Sequence, residues 1–270
     1  MWQRFCKSKN PCSVENNLSR FVAACVALFA LWVATPVLAQ ADYAREKRWA
    51  DEITPAILVG DPVYLALKSG HTFLAIHTPQ LPQAKARAGV IVVHGMGVHP
   101  DWGLINPLRS QLAEQGYATL SVQMPVLAAD VKAESYPALF PEAAERLQAA
   151  VIFLREKGHR KVAIVSHSMG ARMANHFLAG GGAGEIDAWV AVGISTGVYL
   201  QSETFKAPVL DIYGEKDFPL VLQNTARRTA AIKRIRGSGQ VSVAGADHYF
   251  NGSEIELVRH VKRFLDNATR

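Results

Sequence analysis

From Gly89 onward the chain alternates two residue patterns that few architectures can satisfy together. Val90-Ile91-Val92-Val93 is an unbroken β-branched run, which suits a strand covered on both faces, as in a parallel sheet. Leu104 to Glu114 follows with Leu104, Leu108 and Leu112 at helical spacing and Gly116 behind it as a stop. The alternation repeats, with strands expected over Ala118–Val122, Lys161–Val165, Ala188–Val192, Pro208–Tyr213 and Gln240–Val243. Helices are expected between them over Ala143–Lys157, Ala171–Ala179, Leu220–Arg234 and Glu254–Leu265. Ahead of this series, Val63–Leu67 and Thr72–His77 are split by Ser69-Gly70, a hairpin signal. An antiparallel start followed by strand and helix in strict turn predicts one α/β domain with a mostly parallel sheet over residues 61–270. Residues 40–60 read as a charged N-terminal arm, helical until Pro55, with Trp49 as an anchor.

Residues 1–39 carry a different pattern. Arg4, Lys7, Lys9 and Arg20 form a positive leader, Phe21 to Ala34 is apolar, and Thr35-Pro36-Val37-Leu38-Ala39-Gln40 follows. Val37 and Ala39 stand where a signal peptidase requires small residues, so cleavage is expected after Ala39, giving a periplasmic or secreted protein with no stable membrane insertion. An uncleaved anchor is the alternative, since Phe21–Ala39 is just long enough to span a bilayer. Cys6, Cys12 and Cys25 all fall within the leader, so the remainder holds no disulfide framework and no thiolate metal site. Of the formal charge of +6, residues 1–40 supply +3. The rest is too mildly basic for a nucleic-acid binder, and no Lys/Arg block is interleaved with aromatics.

The chemistry concentrates at strand ends. Ser168 stands at the junction of a buried strand and a helix, in Ser166-His167-Ser168-Met169-Gly170. A tight turn there lifts the hydroxyl above the sheet and needs small residues two before and two after it. Ser166 and Gly170 fill those places; serine is small enough but costs some strain relative to the usual glycine. His94-Gly95-Met96-Gly97 follows an earlier strand, where a second oxyanion donor is expected. The backbone N–H groups of Met96 and Met169 are the candidate hole, each donor being worth on the order of 3 kcal/mol. His94 reads as a structural brace of that loop. The acid and base should follow the nucleophile in the order Ser, Asp, His. Asp217 lies just past a strand end and is the candidate acid, with Asp211 and Glu215 as alternatives. His248, in Gly245-Ala246-Asp247-His248-Tyr249-Phe250, is the candidate base; His260 lies in the closing helix. No HxH or HExxH cluster, P-loop or GxGxxG is present, so neither a metal nor a cofactor is expected.

These three segments, with Tyr213-Gly214-Glu215-Lys216-Asp217, resemble the α/β-hydrolase superfamily over residues 60 to 268. The resemblance implies a twisted, mostly parallel eight-stranded sheet flanked by helices. It further implies ester, thioester or related acyl hydrolysis through an acyl-enzyme, without cofactor. His99-Pro100-Asp101-Trp102 and Ile105-Asn106-Pro107-Leu108-Arg109 look like an exported bacterial subfamily with no assigned substrate. Gly193 to Ala207 leaves no room for a large cap domain, and the Met124–Pro137 loop is expected to cover the site instead. A small-molecule or polymer-attached acyl substrate fits such a shallow site. A non-catalytic envelope protein that reuses the fold for binding is the competing expectation.

Overall fold

The β-branched runs form the centre of an eight-stranded sheet in the order β1-β2-β4-β3-β5-β6-β7-β8. The computed structural model describes residues 40–80, 88–196, 199 and 205–270; the leader and its cleavage point lie outside them. The strands are β1 Asp61–Ala66, β2 Thr72–Thr78, β3 Gly89–Val93, β4 Ala118–Val122, β5 Val162–His167, β6 Ala188–Val192, β7 Val209–Lys216 and β8 Gly239–Asp247. β1 pairs antiparallel with β2 and β2 antiparallel with β4, while every later pairing is parallel.

Every residue of β3, β4, β5 and β6 is buried, because helices cover both faces. Ile91 and Val93 point to one layer, with Leu147 and Val151 of helix α3 (Phe140–Glu156) and Phe177 of α4 (Met169–Ala179). Val90 and Val92 point to the other, with Leu108 of α2 (Ile105–Glu114) and Val258 of α7 (Glu254–Ala268). The unbroken run is thus the period-2 strand pattern read with both sides apolar. Among the described residues no helix is long and apolar enough to cross a membrane, and no large cap domain is inserted between β6 and β7.

Three expectations are corrected. The helix expected over Leu220–Arg234 is two helices, α5 Pro219–Leu222 and α6 Thr225–Ile232. Asn224 between them turns its amide back onto the Leu220 carbonyl (2.8 Å) and competes with the helical ladder. Strands β7 and β8 run further than expected, to Lys216 and Asp247. The segment 124–137 does not cover the site. Met124, Val126 and Leu127 are buried, and this segment packs beneath helix α1 (Tyr43–Ile53), whose Asp42 N–H reaches the Val126 carbonyl at 2.7 Å. The buried Glu46 carboxylate of α1 meets Arg146 of α3 at 2.8 Å, so the arm is built into the domain.

Candidate active site

The chain reverses sharply where β5 meets α4. Ser168 holds φ 54° and ψ −117°, a conformation that costs an ordinary residue about 1–3 kcal/mol. Its N–H donates to the Val192 carbonyl (2.8 Å), and its carbonyl accepts from Ala171 N–H (3.1 Å). The neighbours explain the residue types. A Cβ on Gly170 would lie 2.1 Å from the His94 carbonyl oxygen. Ser166 needs no such room, and its buried hydroxyl is occupied, accepting from the Trp189 indole (2.8 Å) and donating to the Val190 carbonyl (3.2 Å). The positive φ of the elbow falls on Ser168 and not on Ser166.

Ser168, His248 and Asp217 lie in series. His248 Nε2 is 2.9 Å from Ser168 Oγ, and its Nδ1 is 2.5 Å from Asp217 Oδ1. The extra strand length brings the last two together. Lys216 pairs with Asp247 in the β7–β8 ladder, so the residues that follow the two strand ends, Asp217 and His248, emerge side by side. Gly214 makes the approach feasible, because a Cβ there would lie 2.4 Å from the Ala246 carbonyl oxygen. Asp217 Oδ1 also accepts from Phe218 N–H (2.7 Å), and its Oδ2 from Gly214 N–H (3.3 Å). Both partners are buried, and the Phe218 ring stacks on the imidazole at 4.1 Å.

The alternatives are elsewhere. Asp211 forms a fully buried ion pair with Arg228 (2.9 Å) and accepts from Gln240 (2.5 Å). Glu215 accepts from Gly245 N–H (2.8 Å), and His260 pairs with Glu256 (3.0 Å) on the closing helix. Asp211→Asn is expected to lower stability by roughly 3–5 kcal/mol in urea unfolding, because it leaves the Arg228 charge buried and unmatched.

The two candidate N–H groups lie on the segments next to Ser168. Met169 is the first residue of α4, so its N–H has no helical acceptor. The 94–97 loop passes beside the elbow, where a Cβ on Gly95 would lie 3.3 Å from Ser168 Cβ. Among the described residues neither the Met96 nor the Met169 N–H donates to another group. His94 orients the loop. Its Nε2 accepts from Met124 N–H (2.9 Å), which leaves the proton on Nδ1 to donate to the Gly95 carbonyl (2.8 Å). Burial pushes its pKa down to about 3, and both nitrogens are engaged within the protein, which leaves no lone pair for a metal.

His167, Gly193 and three aromatic residues went unread in the sequence. His167 Nε2 donates to the His248 carbonyl (2.9 Å), and burial, then the nearby His248, push its pKa down to about 4. Gly193, at φ +59°, passes close to the imidazole: a Cβ would lie 3.1 Å from the His248 ring, a tight contact on a backbone that already favours glycine. A glycine directly after a parallel strand was the available signal. Trp102, Phe218 and Tyr249 line a cleft of about 450 Å³ over Ser168, together with Met96 and Val98.

The two neutral histidines make stability depend on pH. Their folded pKa values lie below the ordinary 6.5, so the unfolded chain binds protons that the folded chain refuses. Stability is fully present above about pH 6.5 and falls as pH drops toward the folded values. His167→Gln is expected to reduce the slope of urea stability between about pH 6 and 5 by about one proton, or ~1.4 kcal/mol per pH unit.

A mostly parallel sheet with a strained serine between β5 and its helix defines the α/β-hydrolase class. The chain belongs to the alpha/beta hydrolase family, which matches residues 90–267. Residues 22–144 match a second family, described as a protein of unknown function (DUF3530); this stretch contains His99–Arg109. No curated protein matches the chain. Among solved structures it is similar to XC6422 from Xanthomonas campestris, described as an α/β serine hydrolase without lid (14% identity, 78% of this chain and 95% of that one, TM-score 0.63). It is also similar to Est1E from Butyrivibrio proteoclasticus (16%, 77% and 98%, 0.61) and to dienelactone hydrolase from Anabaena variabilis (20%, 78% and 98%, 0.62). At these identities the likeness concerns the fold.

Proposed function

We propose that the protein is an exported serine hydrolase that cleaves a carboxylic ester or related acyl bond through an acyl-enzyme. The observation that carries this reading is the unbroken series Ser168 Oγ, His248 Nε2, His248 Nδ1, Asp217 Oδ1, at 2.9 and 2.5 Å. Export rests on the leader pattern of residues 1–39.

In the first half-reaction Ser168 Oγ adds to the acyl carbon while its proton passes to His248 Nε2. Asp217 holds the ring with its proton on Nδ1 and stabilises the imidazolium. The carbonyl oxygen becomes an oxyanion between the Met96 and Met169 N–H groups. Collapse breaks the bond to the leaving oxygen, which takes the proton from His248. Water then repeats the sequence on the acyl-serine and restores the Ser168 hydroxyl. Phe218, stacked on the imidazole, shields the relay from bulk water.

The cleft suits a neutral substrate. Met96, Val98, Trp102, Phe218 and Tyr249 supply apolar and aromatic walls, and among the described residues no Lys, Arg, Asp or Glu lines it. Met96, Phe218 and Tyr249 are each at least 40% exposed, so the apolar surface continues to the rim. A short or aromatic acyl group on a small or polymer-attached alcohol fits that surface.

A fluorophosphonate is expected to leave one covalent adduct on Ser168, lost in Ser168→Ala, with nitrophenyl acetate or butyrate hydrolysed. No adduct on the folded protein would instead favour a binding protein of the same fold. Asp217→Asn is expected to lower kcat by on the order of 10⁴-fold, whereas Asp211→Asn acts on stability; equal kcat losses in folded samples of both would contradict the assignment.

A further inference from the structure

The loop that carries the Met96 N–H has little of its own to hold it. It has glycine on both sides of Met96, Gly97 has φ +69°, and the Met96 side chain is 45% exposed, so it is not an anchor buried in the core. Tyr136 holds the Gly97 N–H, and bonds to the two flanking carbonyls fix the loop further. The Gly95 carbonyl belongs to the same planar peptide as the Met96 N–H and points opposite to it; His94 holds that one. The Gly97 carbonyl, on the other side, is held from outside the hydrolase core. Arg45 of α1 donates from Nη2 to Gly97 O (3.2 Å) and from Nη1 to Leu127 O (2.7 Å). Its guanidinium also lies 4.5 Å above the Trp49 ring, which sets its plane.

We infer that Arg45 is a positioning residue for the oxyanion hole, and that the N-terminal helix is therefore a working part of the active site. The inference rests on the reading of Met96 N–H as an oxyanion donor. Helix α1 does not depend on Arg45 for its own docking. Asp42 N–H is bonded to Val126 O (2.7 Å), and Glu46 is bonded to Arg146 (2.8 Å) and to Val126 N–H (3.3 Å). Removing the guanidinium therefore frees the loop and leaves the helix in place. The effect falls on the transition state, where the oxyanion forms, more than on substrate binding.

The test compares Arg45→Met and Arg45→Lys with the unaltered chain. Hydrogen exchange over residues 94–98 is expected to become about tenfold faster in Arg45→Met, with exchange over 43–53 unchanged. With a nitrophenyl ester, kcat is expected to fall on the order of 10- to 100-fold with KM within about twofold. Affinity for a trifluoromethyl ketone, which forms the oxyanion on Ser168, should fall in parallel, and Arg45→Lys should recover part of each loss. Unchanged exchange over 94–98 in both variants overturns the inference, as does a loss confined to KM. The exchange measurement decides independently of turnover. If the unaltered chain takes no fluorophosphonate adduct, the hydrolase reading fails while the hold of Arg45 on the loop is still judged.

Discussion

Ser168→Ala is expected to lower kcat by on the order of 10⁶-fold, leaving only what the hole and the cleft contribute without a nucleophile. The loss is large because every other group in the series acts through that oxygen. Among the described residues His248 Nε2 is bonded only to that oxygen, at 2.9 Å, and on the proposed mechanism the Met96 and Met169 N–H groups would have no oxyanion to bind. Stability should respond quite differently. The backbone at Ser168 has φ 54°, so Ser168→Gly is expected to be more stable than Ser168→Ala by about 1 kcal/mol. Both should be equally inactive. Urea midpoints together with burst-phase kinetics of the three proteins check this. Residual burst release of nitrophenol by Ser168→Ala would place the nucleophile elsewhere.

Gly170→Ala is expected to cost both stability and activity. Its new methyl group would lie 2.1 Å from the His94 carbonyl oxygen and 2.8 Å from Val93 Cγ1. The first of these is backbone and cannot rotate away, so α4 must move relative to the end of β3. Forced overpacking costs about 1–3 kcal/mol where side chains yield, and the upper end is expected here. The same displacement separates Met169 N–H from Met96 N–H, which lie on the two elements pushed apart. A drop in kcat of on the order of 100-fold is therefore expected in the fraction that folds. Urea unfolding and active-site titration with a fluorophosphonate measure the two effects separately. An alanine variant with unaltered midpoint and turnover would show that the contact is relieved without moving the hole.

Both predictions concern residues that the chain order and the small-residue spacing already singled out. Ser168 was legible because a buried strand ends and a helix begins at it, with Ser166 and Gly170 at the two places that crowd the backbone. The strands of the core were legible because Val90–Val93 and its counterparts are apolar at every position, which only a sheet covered on both faces rewards. The break at Asn224 was not, since one side chain competing with the helix ladder leaves no mark on the periodicity. Nor was the path of 124–137, which is drawn under α1 by bonds to residues some eighty positions earlier, such as Val126 to Glu46.

Taken alone, the amino-acid order determined the α/β class and the elbow at Ser168, and set Asp217 and His248 after it as candidates, because these depend on local periodicity, on chain order and on steric demands within a few residues. Which carboxylate faces His248 was decided only by the tertiary structure. Asp211 and Asp217 lie on one short stretch of chain, but Asp211 meets Arg228 while Asp217 emerges beside Asp247 through the β7–β8 register. The role of Arg45 belongs to the same category. A guanidinium reaching a carbonyl fifty-two residues away is a property of how helix and loop pack, and nothing in the residues adjacent to either one specifies it.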